Sequence, residues 1–360
     1  MEKFDVDNLV RDNIKKLKPY SSARSEYRGN AEVFIDANEN AYGSPVLLPS
    51  PAGEGPGMRL NRYPDPLQWQ LKQQISKIKG VPPQNIFVGN GSDEVIDLAF
   101  RIFCEPKKDN VIICPPTYGM YKVCANINDV EAREVLLTAD FQLNVEGILS
   151  AADEHTKLLF ICSPNNPTGN DLNRMDIELL LNNFPGIVLI DEAYINFSMQ
   201  KTFIPELVEY ENLIVMQTLS KAWGLAGLRL GLAFASEIIL DLFNKVKPPY
   251  NINQSSQQLA IKALANIKEV NNNIKNIVQQ RNWVHDELQQ FKFVQIIYSS
   301  DANFILVKVD DADKLYHYLL VNRIIIRNRS KEPLCENCIR ITIGTEEENQ
   351  TLINALKNYA

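Results

Sequence analysis

A chain of 360 residues, 45% of them hydrophobic, is long enough to bury one large core and a smaller one beside it. Its net charge of −7 argues against nucleic acid or an anionic membrane as partner. The charged start, residues 1–7, lacks the apolar core of a signal peptide, and no apolar run approaches the roughly 18 residues of a bilayer span, so a cytoplasmic protein is expected.

Residues 4–18 set Phe4, Leu9, Val10, Ile14 and Leu17 among charges and predict a short amphipathic helix, ended by Pro19 and followed by Tyr20. Val33-Phe34-Ile35 predicts a brief strand, and Asp36-Ala37-Asn38-Glu39-Asn40 follows it. Residues 44–57 are rich in Pro and Gly and predict an irregular loop. That loop leads into Arg62-Tyr63-Pro64-Asp65-Pro66, where two prolines stiffen the backbone around an exposed tyrosine. Such a residue is either a loop anchor or a group that one subunit lends to another.

From about 67 to 235 the pattern is regular. Strands are predicted at 86–88, 111–114, 158–162, 187–190, 213–216 and 230–235, with helices such as 93–103 and 173–183 between them. This alternation predicts an α/β unit with a mainly parallel sheet covered on both faces. Polar clusters follow the strands: Gly89-Asn90-Gly91-Ser92-Asp93-Glu94, Pro115-Pro116-Thr117-Tyr118, the stretch 163–169 around Asn166, Asp191-Glu192-Ala193-Tyr194, and Thr218-Leu219-Ser220-Lys221. Ligands of open α/β sheets bind outside the carboxyl ends of the strands, so these five clusters converge on one site. Residues 255–290 read as one long helix with a polar interruption near Asn271-Asn272-Asn273. Strand 303–309, helix 312–321, strands 323–327 and 339–343 and helix 346–359 then predict a smaller α+β domain, to which the N-terminal helix returns. Thr345 followed by three glutamates is a good helix start. The predicted division is 1–35, 36–255 and 256–360.

Six scattered cysteines make no disulfide framework, and Cys335-Glu336-Asn337-Cys338 lacks the second pair a structural zinc site needs, so no metal is expected. Gly91 and Ser92 at the mouth of helix 93–103 form a phosphate cradle by position. A dinucleotide fold would want Gly in place of Glu94 and an acid where Pro115-Pro116 stands, and no Walker lysine follows. Lys221 lies directly after a buried strand and before Gly224, Gly227, Arg229 and Gly231. Partial burial and the nearby arginine should depress its pKa and give a nucleophilic amine. Asp191 closes a buried strand, either capping a turn or facing a cation. One cofactor accounts for the lysine, the acid and the cradle together: pyridoxal 5′-phosphate. Its aldehyde takes the lysine, its phosphate the cradle and Arg229, and its ring nitrogen the carboxylate, which keeps that nitrogen protonated. Tyr118 offers a face to stack on the ring, and Asn166 and Tyr194 can bond its hydroxyl.

These motifs, together with Lys18-Pro19-Tyr20, Asn61-Arg62-Tyr63-Pro64-Asp65, Ile326-Arg327 and Ile339-Arg340-Ile341-Thr342-Ile343-Gly344, span essentially the whole chain. It resembles the fold-type I pyridoxal-phosphate enzymes of the aminotransferase superfamily, and among them the histidinol-phosphate aminotransferases. The resemblance implies that Lys221 bonds the cofactor and then shuttles a proton, with Asp191 and Tyr194 beside it. It further implies that Thr218, Ser220, Arg229 and the amides of Ser92 and Asp93 hold the phosphate. Tyr63 would join them from a partner subunit, making a homodimer with shared sites. Arg340, Arg327, Tyr20 and Asn38 would bind the substrate. Implied substrates are histidinol phosphate and glutamate or 2-oxoglutarate. A phospho-amino-acid decarboxylase and an aromatic aminotransferase are the alternatives. The Pro/Gly run at 44–57 departs from the family, where a helix is usual.

Overall fold

The computed structural model describes residues 33–34, 42 and 64–359. The helix expected at 4–18, the loop at 44–57, and Tyr20, Asn38 and Tyr63 lie outside them.

Seven strands form the larger sheet: β2 (Ile86–Asn90), β3 (Asn110–Ile113), β4 (Glu131–Glu134), β5 (Thr156–Cys162), β6 (Ile187–Asp191), β7 (Leu213–Thr218) and β8 (Leu230–Phe234). Their order is β2-β8-β7-β6-β5-β3-β4. All run parallel except β8, which is antiparallel to both neighbours. The reason is chain length: residues 219–229 are too few for the crossover a parallel partner needs, so β7 and β8 make a hairpin. Alternate side chains feed two cores. Ile86, Val88, Leu159, Ile161, Val188, Ile190, Leu213 and Val215 lie in one, and Phe87, Leu158, Phe160, Leu189, Ile214 and Met216 in the other. Helices α1 (Trp69–Lys79), α4 (Val145–Ala151), α5 (Arg174–Asn183) and α7 (Gln254–Leu264) close the first face; α2 (Ser92–Phe103), α3 (Met120–Ile127) and α6 (Glu237–Val246) close the second.

A four-stranded antiparallel sheet follows, in the order β12 (Arg327–Asn328), β13 (Cys338–Thr342), β10 (Phe304–Val309), β9 (Val294–Ile297). Helices α8 (Ile267–Leu288), α9 (Ala312–Val321) and α10 (Glu346–Tyr359) pack on it around Phe304, Ile305, Val307, Ile339 and Ile341. Strand β1 (Val33–Phe34) pairs in parallel with β11 (Ile324–Ile325). The start of α10 is a reciprocal cap: Glu348 N donates to Thr345 Oγ1 (3.2 Å), and Thr345 N to Glu348 Oε2 (2.8 Å).

Two expectations need correcting. The long helix over 255–290 is two helices, α7 and α8, parted at Ala265 and Asn266; Asn271-Asn272-Asn273 continue α8 on its outer side, where polar residues cost nothing. The strand over 323–327 is two short pieces, β11 and β12, which pair with different partners.

Candidate active site

The site is built from the carboxyl ends of the larger sheet. In the β7–β8 hairpin, Thr218 Oγ1 donates to the Leu230 carbonyl (3.3 Å) and accepts the Ser220 amide (3.1 Å). The Leu219 amide donates to the same carbonyl (3.0 Å), and the Gly224 amide to the carbonyl of Lys221 (3.1 Å). These bonds turn the chain sharply after the strand and leave Lys221 half-buried, its Nζ 5.9 Å from the centroid of the Tyr194 ring.

Two glycines join this hairpin to the start of α2. Gly91 has φ +77°, and a Cβ there would stand 2.6 Å from Arg229 Nη2. At Gly231 a Cβ would overlap the Ser92 amide nitrogen and the Gly91 carbonyl group. The Gly91 amide donates to the Arg229 carbonyl (2.7 Å), and Arg229 Nη2 lies 3.6 Å from Asp93 Oδ2. The first-turn amides of α2, which have no helical acceptor, therefore sit beside Thr218, Ser220 and a half-exposed guanidinium. That arrangement suits a phosphate group.

Asp191 ends β6 in the middle of the sheet and is only 3% exposed. Its Oδ2 accepts the hydroxyl of Tyr121 (2.7 Å) and its Oδ1 the amide of Ala193 (3.1 Å). Burial pushes the carboxyl up to about 6; the two donors pull it down, and Asp93 and Glu192 push it further up. A protonated ring nitrogen would favour the ionised form of such a buried acid, and in this respect the residues fit pyridoxal 5′-phosphate.

The remaining side chains follow from one to the next. Tyr118 donates its hydroxyl to Asp93 Oδ1 (3.0 Å), which fixes the ring beside the cradle. Tyr194 meets Phe304 edge to face at 5.1 Å, and the Arg340 guanidinium lies 5.1 Å from the same Phe304 ring. Arg340, buried, donates from Nη1 to Asn166 Oδ1. Arg327 stands directly opposite Arg340 in the antiparallel register, so both side chains leave one face of the smaller sheet. The smaller sheet thus brings an arginine pair to the strand ends of the larger one.

Sequence reasoning missed Tyr121, Phe304 and Asn165. Asn165 knits two strand-end loops, donating to the Pro116 carbonyl (2.9 Å) and to Thr168 Oγ1 (2.8 Å). Tyr121 and Phe304 read as ordinary core; the available signal was Asp191 itself, since an acid at a buried strand end needs donors. Cys335 and Cys338 are buried, and among the described residues no cluster of three or more His, Cys, Asp or Glu could hold a metal. No helix among them is long and apolar enough to cross a membrane.

The family model for aminotransferase class I and II matches residues 33–356. A histidinol-phosphate aminotransferase of Bacteroides thetaiotaomicron is 54% identical over 355 residues, covering 98% of this chain and 99% of the relative. One from Cytophaga hutchinsonii is 51% identical over 356 residues, with 99% of each chain covered. The crystal structure of histidinol-phosphate aminotransferase from Sinorhizobium meliloti in complex with pyridoxal-5′-phosphate shares the fold, with a TM-score of 0.83 at 21% identity and 98% of each chain covered. A match this long to the family model, together with more than half the residues identical to a full-length relative, means that the chain belongs to the class I and II aminotransferase family.

Proposed function

We propose that this chain is a pyridoxal-phosphate-dependent transaminase that moves an amino group reversibly between L-histidinol phosphate and 2-oxoglutarate, a step of histidine biosynthesis in the cytoplasm. The observation that supports this reading is the run of neighbours Lys221, Tyr194, Phe304 and Arg340, with Arg327 across from Arg340, an amine and opposed arginines within reach of one ligand. Guanidinium binds phosphate and carboxylate bidentately, so Arg327 and Arg340 suit a substrate that is a dianion in one half-reaction and a dicarboxylate in the other.

When bound, the cofactor supplies an aldehyde for the incoming amine and a ring that accepts electrons. The chain's residues do the rest. Lys221 Nζ takes the proton from the carbon that bears the substrate amine, and in the return half-reaction delivers one to the corresponding carbon of glutamate. Asp191 holds a proton at the ring nitrogen. Asn166 and Tyr194 orient the ring from its hydroxyl side, Tyr118 covers its face, and the hairpin and α2 hold the phosphate through Thr218, Ser220, Arg229 and the amides of Ser92 and Asp93. Tyr20 and Asn38 would add to the substrate pocket. Tyr63 of the partner subunit would complete the phosphate site in a homodimer; a sedimentation mass of one chain would remove that part of the reading.

The deciding experiment is a pair of half-reactions. Histidinol phosphate should bleach the absorbance of the loaded enzyme and 2-oxoglutarate should restore it, with glutamate formed in equal amount. Release of carbon dioxide from a phosphorylated amino acid, without that restoration, would make the protein a decarboxylase instead. Lys221→Ala should lower turnover by roughly 10³-fold or more while the protein still binds cofactor; near wild-type turnover would end the proposed mechanism.

A further inference from the structure

Tyr121 has no part in the site as read from the sequence, and it is 0% exposed. Its ring stacks on Phe160 (4.8 Å between centroids) and meets Tyr118 edge to face (5.6 Å). A hydroxyl in such a core costs free energy unless it is bonded, and this one donates to Asp191 Oδ2 at 2.7 Å. Resting on the reading that Asp191 meets the ring nitrogen, we propose that Tyr121 is a positioning residue for the reaction: its hydroxyl proton keeps the Asp191 carboxylate ionised and aimed, so that the ring nitrogen and not the acid retains the proton they share.

The groups around Asp191 show why one donor matters. Asp93 on α2 and Glu192, next in the chain, both disfavour its charge, as burial does most of all. Cys162 on the neighbouring β5 is itself a buried thiol pushed well above its usual value, so it supplies no charge. Lys221 follows β7 on the other side. Against these stand the Ala193 amide and Tyr121. Burial and the nearby carboxylate hold the phenol well above its usual range, so it stays a donor. A carboxylate beside a pyridinium shares one proton between two positions, on nitrogen or on oxygen. Removing the Tyr121 hydroxyl raises the proton affinity of the oxygen, and the proton moves from nitrogen to Oδ with no change in total charge. The ring is then neutral and a weaker electron sink.

The test uses the full-length protein loaded with pyridoxal 5′-phosphate labelled with nitrogen-15 in the ring, because the nitrogen shift separates pyridinium from pyridine without reference to turnover. In Tyr121→Phe, which keeps the stacking on Phe160, the signal should move toward the pyridine position. The kcat should fall about tenfold, as expected for a change near one pKa unit, with KM for the amino donor within about twofold. Replacing Tyr121 with 3,5-difluorotyrosine, a stronger donor, should hold the pyridinium signal. A Tyr121→Phe signal left at the wild-type position overturns the inference. So does a difluorotyrosine signal that moves toward pyridine, and this second arm decides the matter if Tyr121→Phe does not fold. Asp191→Asn separates the two levels. If it too leaves the signal unmoved, the reading of Asp191 fails; if it moves the signal and Tyr121→Phe does not, only the role of Tyr121 falls.

Discussion

Asp191 is kept in an environment that disfavours its own charge, and this has a thermodynamic sign. Its carboxyl rises from an ordinary 3.8 to about 6 on folding, chiefly through burial. Between those values the folded chain binds more protons than the unfolded one, so stability falls as pH rises from about 4 through about 6. The full effect for a group this buried is on the order of 3 kcal/mol. Asp191→Asn, which does not titrate, should therefore make the cofactor-free protein more stable than its parent at pH 8 by about 1–3 kcal/mol. That advantage should close near pH 4. Urea titrations of both proteins at the two pH values check this, and a variant less stable at pH 8 would mean that the ionised acid is favoured by the fold. Glu192, one residue on, is also pushed up by burial but differs in its donors. It points to the opposite face, where Phe203 N (2.6 Å), Thr202 Oγ1 (2.5 Å) and Gln217 Nε2 (2.8 Å) all donate to it. A structural carboxylate is satisfied within the chain; Asp191 leaves room for a visitor.

Among the elements, the β7–β8 hairpin and the start of α2 are fitted so closely that Gly231 has no room for a side chain. Gly231→Ala should push the α2 amides away from Thr218 and Arg229 and weaken cofactor binding by tenfold or more, the equivalent of about 1.4 kcal/mol. Equilibrium dialysis measures it; unchanged affinity would show that the phosphate does not sit in this cradle. The same elements show what the sequence reveals. Helices 312–321 and 346–359 were legible from their amphipathic spacing, and the strands of the larger sheet's centre to within two residues, because burial on both faces leaves apolar runs. Strand β4, Glu-Ala-Arg-Glu at the sheet edge, and the half-exposed β9 carry no such run and were not legible. Lys221, Asp191 and Arg229 were legible as candidates because each is a charge set against a strand end. Tyr121 was not, because its hydroxyl matters only through a contact 70 positions away.

Across the whole molecule, the two sheets are tied beside the candidate site. The Asp301 amide donates to the Gly169 carbonyl (2.7 Å), the Asp171 amide donates to Asp301 Oδ2 (2.9 Å), and Arg340 reaches Asn166. The two arginines, Arg327 and Arg340, are thereby held over strand ends that belong to the other sheet. Arg327→Ala should raise KM for histidinol phosphate by about 10- to 100-fold, the worth of a charge-assisted bond, with a smaller effect on kcat. Steady-state kinetics with a donor lacking the phosphate should show little change, and equal losses for both donors would move Arg327 out of the phosphate pocket. The hairpin has one further consequence, for the order of assembly. Thr218, Ser220, Lys221 and Arg229 lie within a single short loop and can meet as soon as β7 and β8 pair. Ser92, Asn166 and Asp191 arrive from remote parts of the chain, and such long-range closures come late in folding. On the proposed reading, the newly made polypeptide should have Lys221 in place before it has anywhere to keep the coenzyme, and the yellow colour of the bound vitamin should lag behind the recovery of secondary structure, marking the chains that have finished folding.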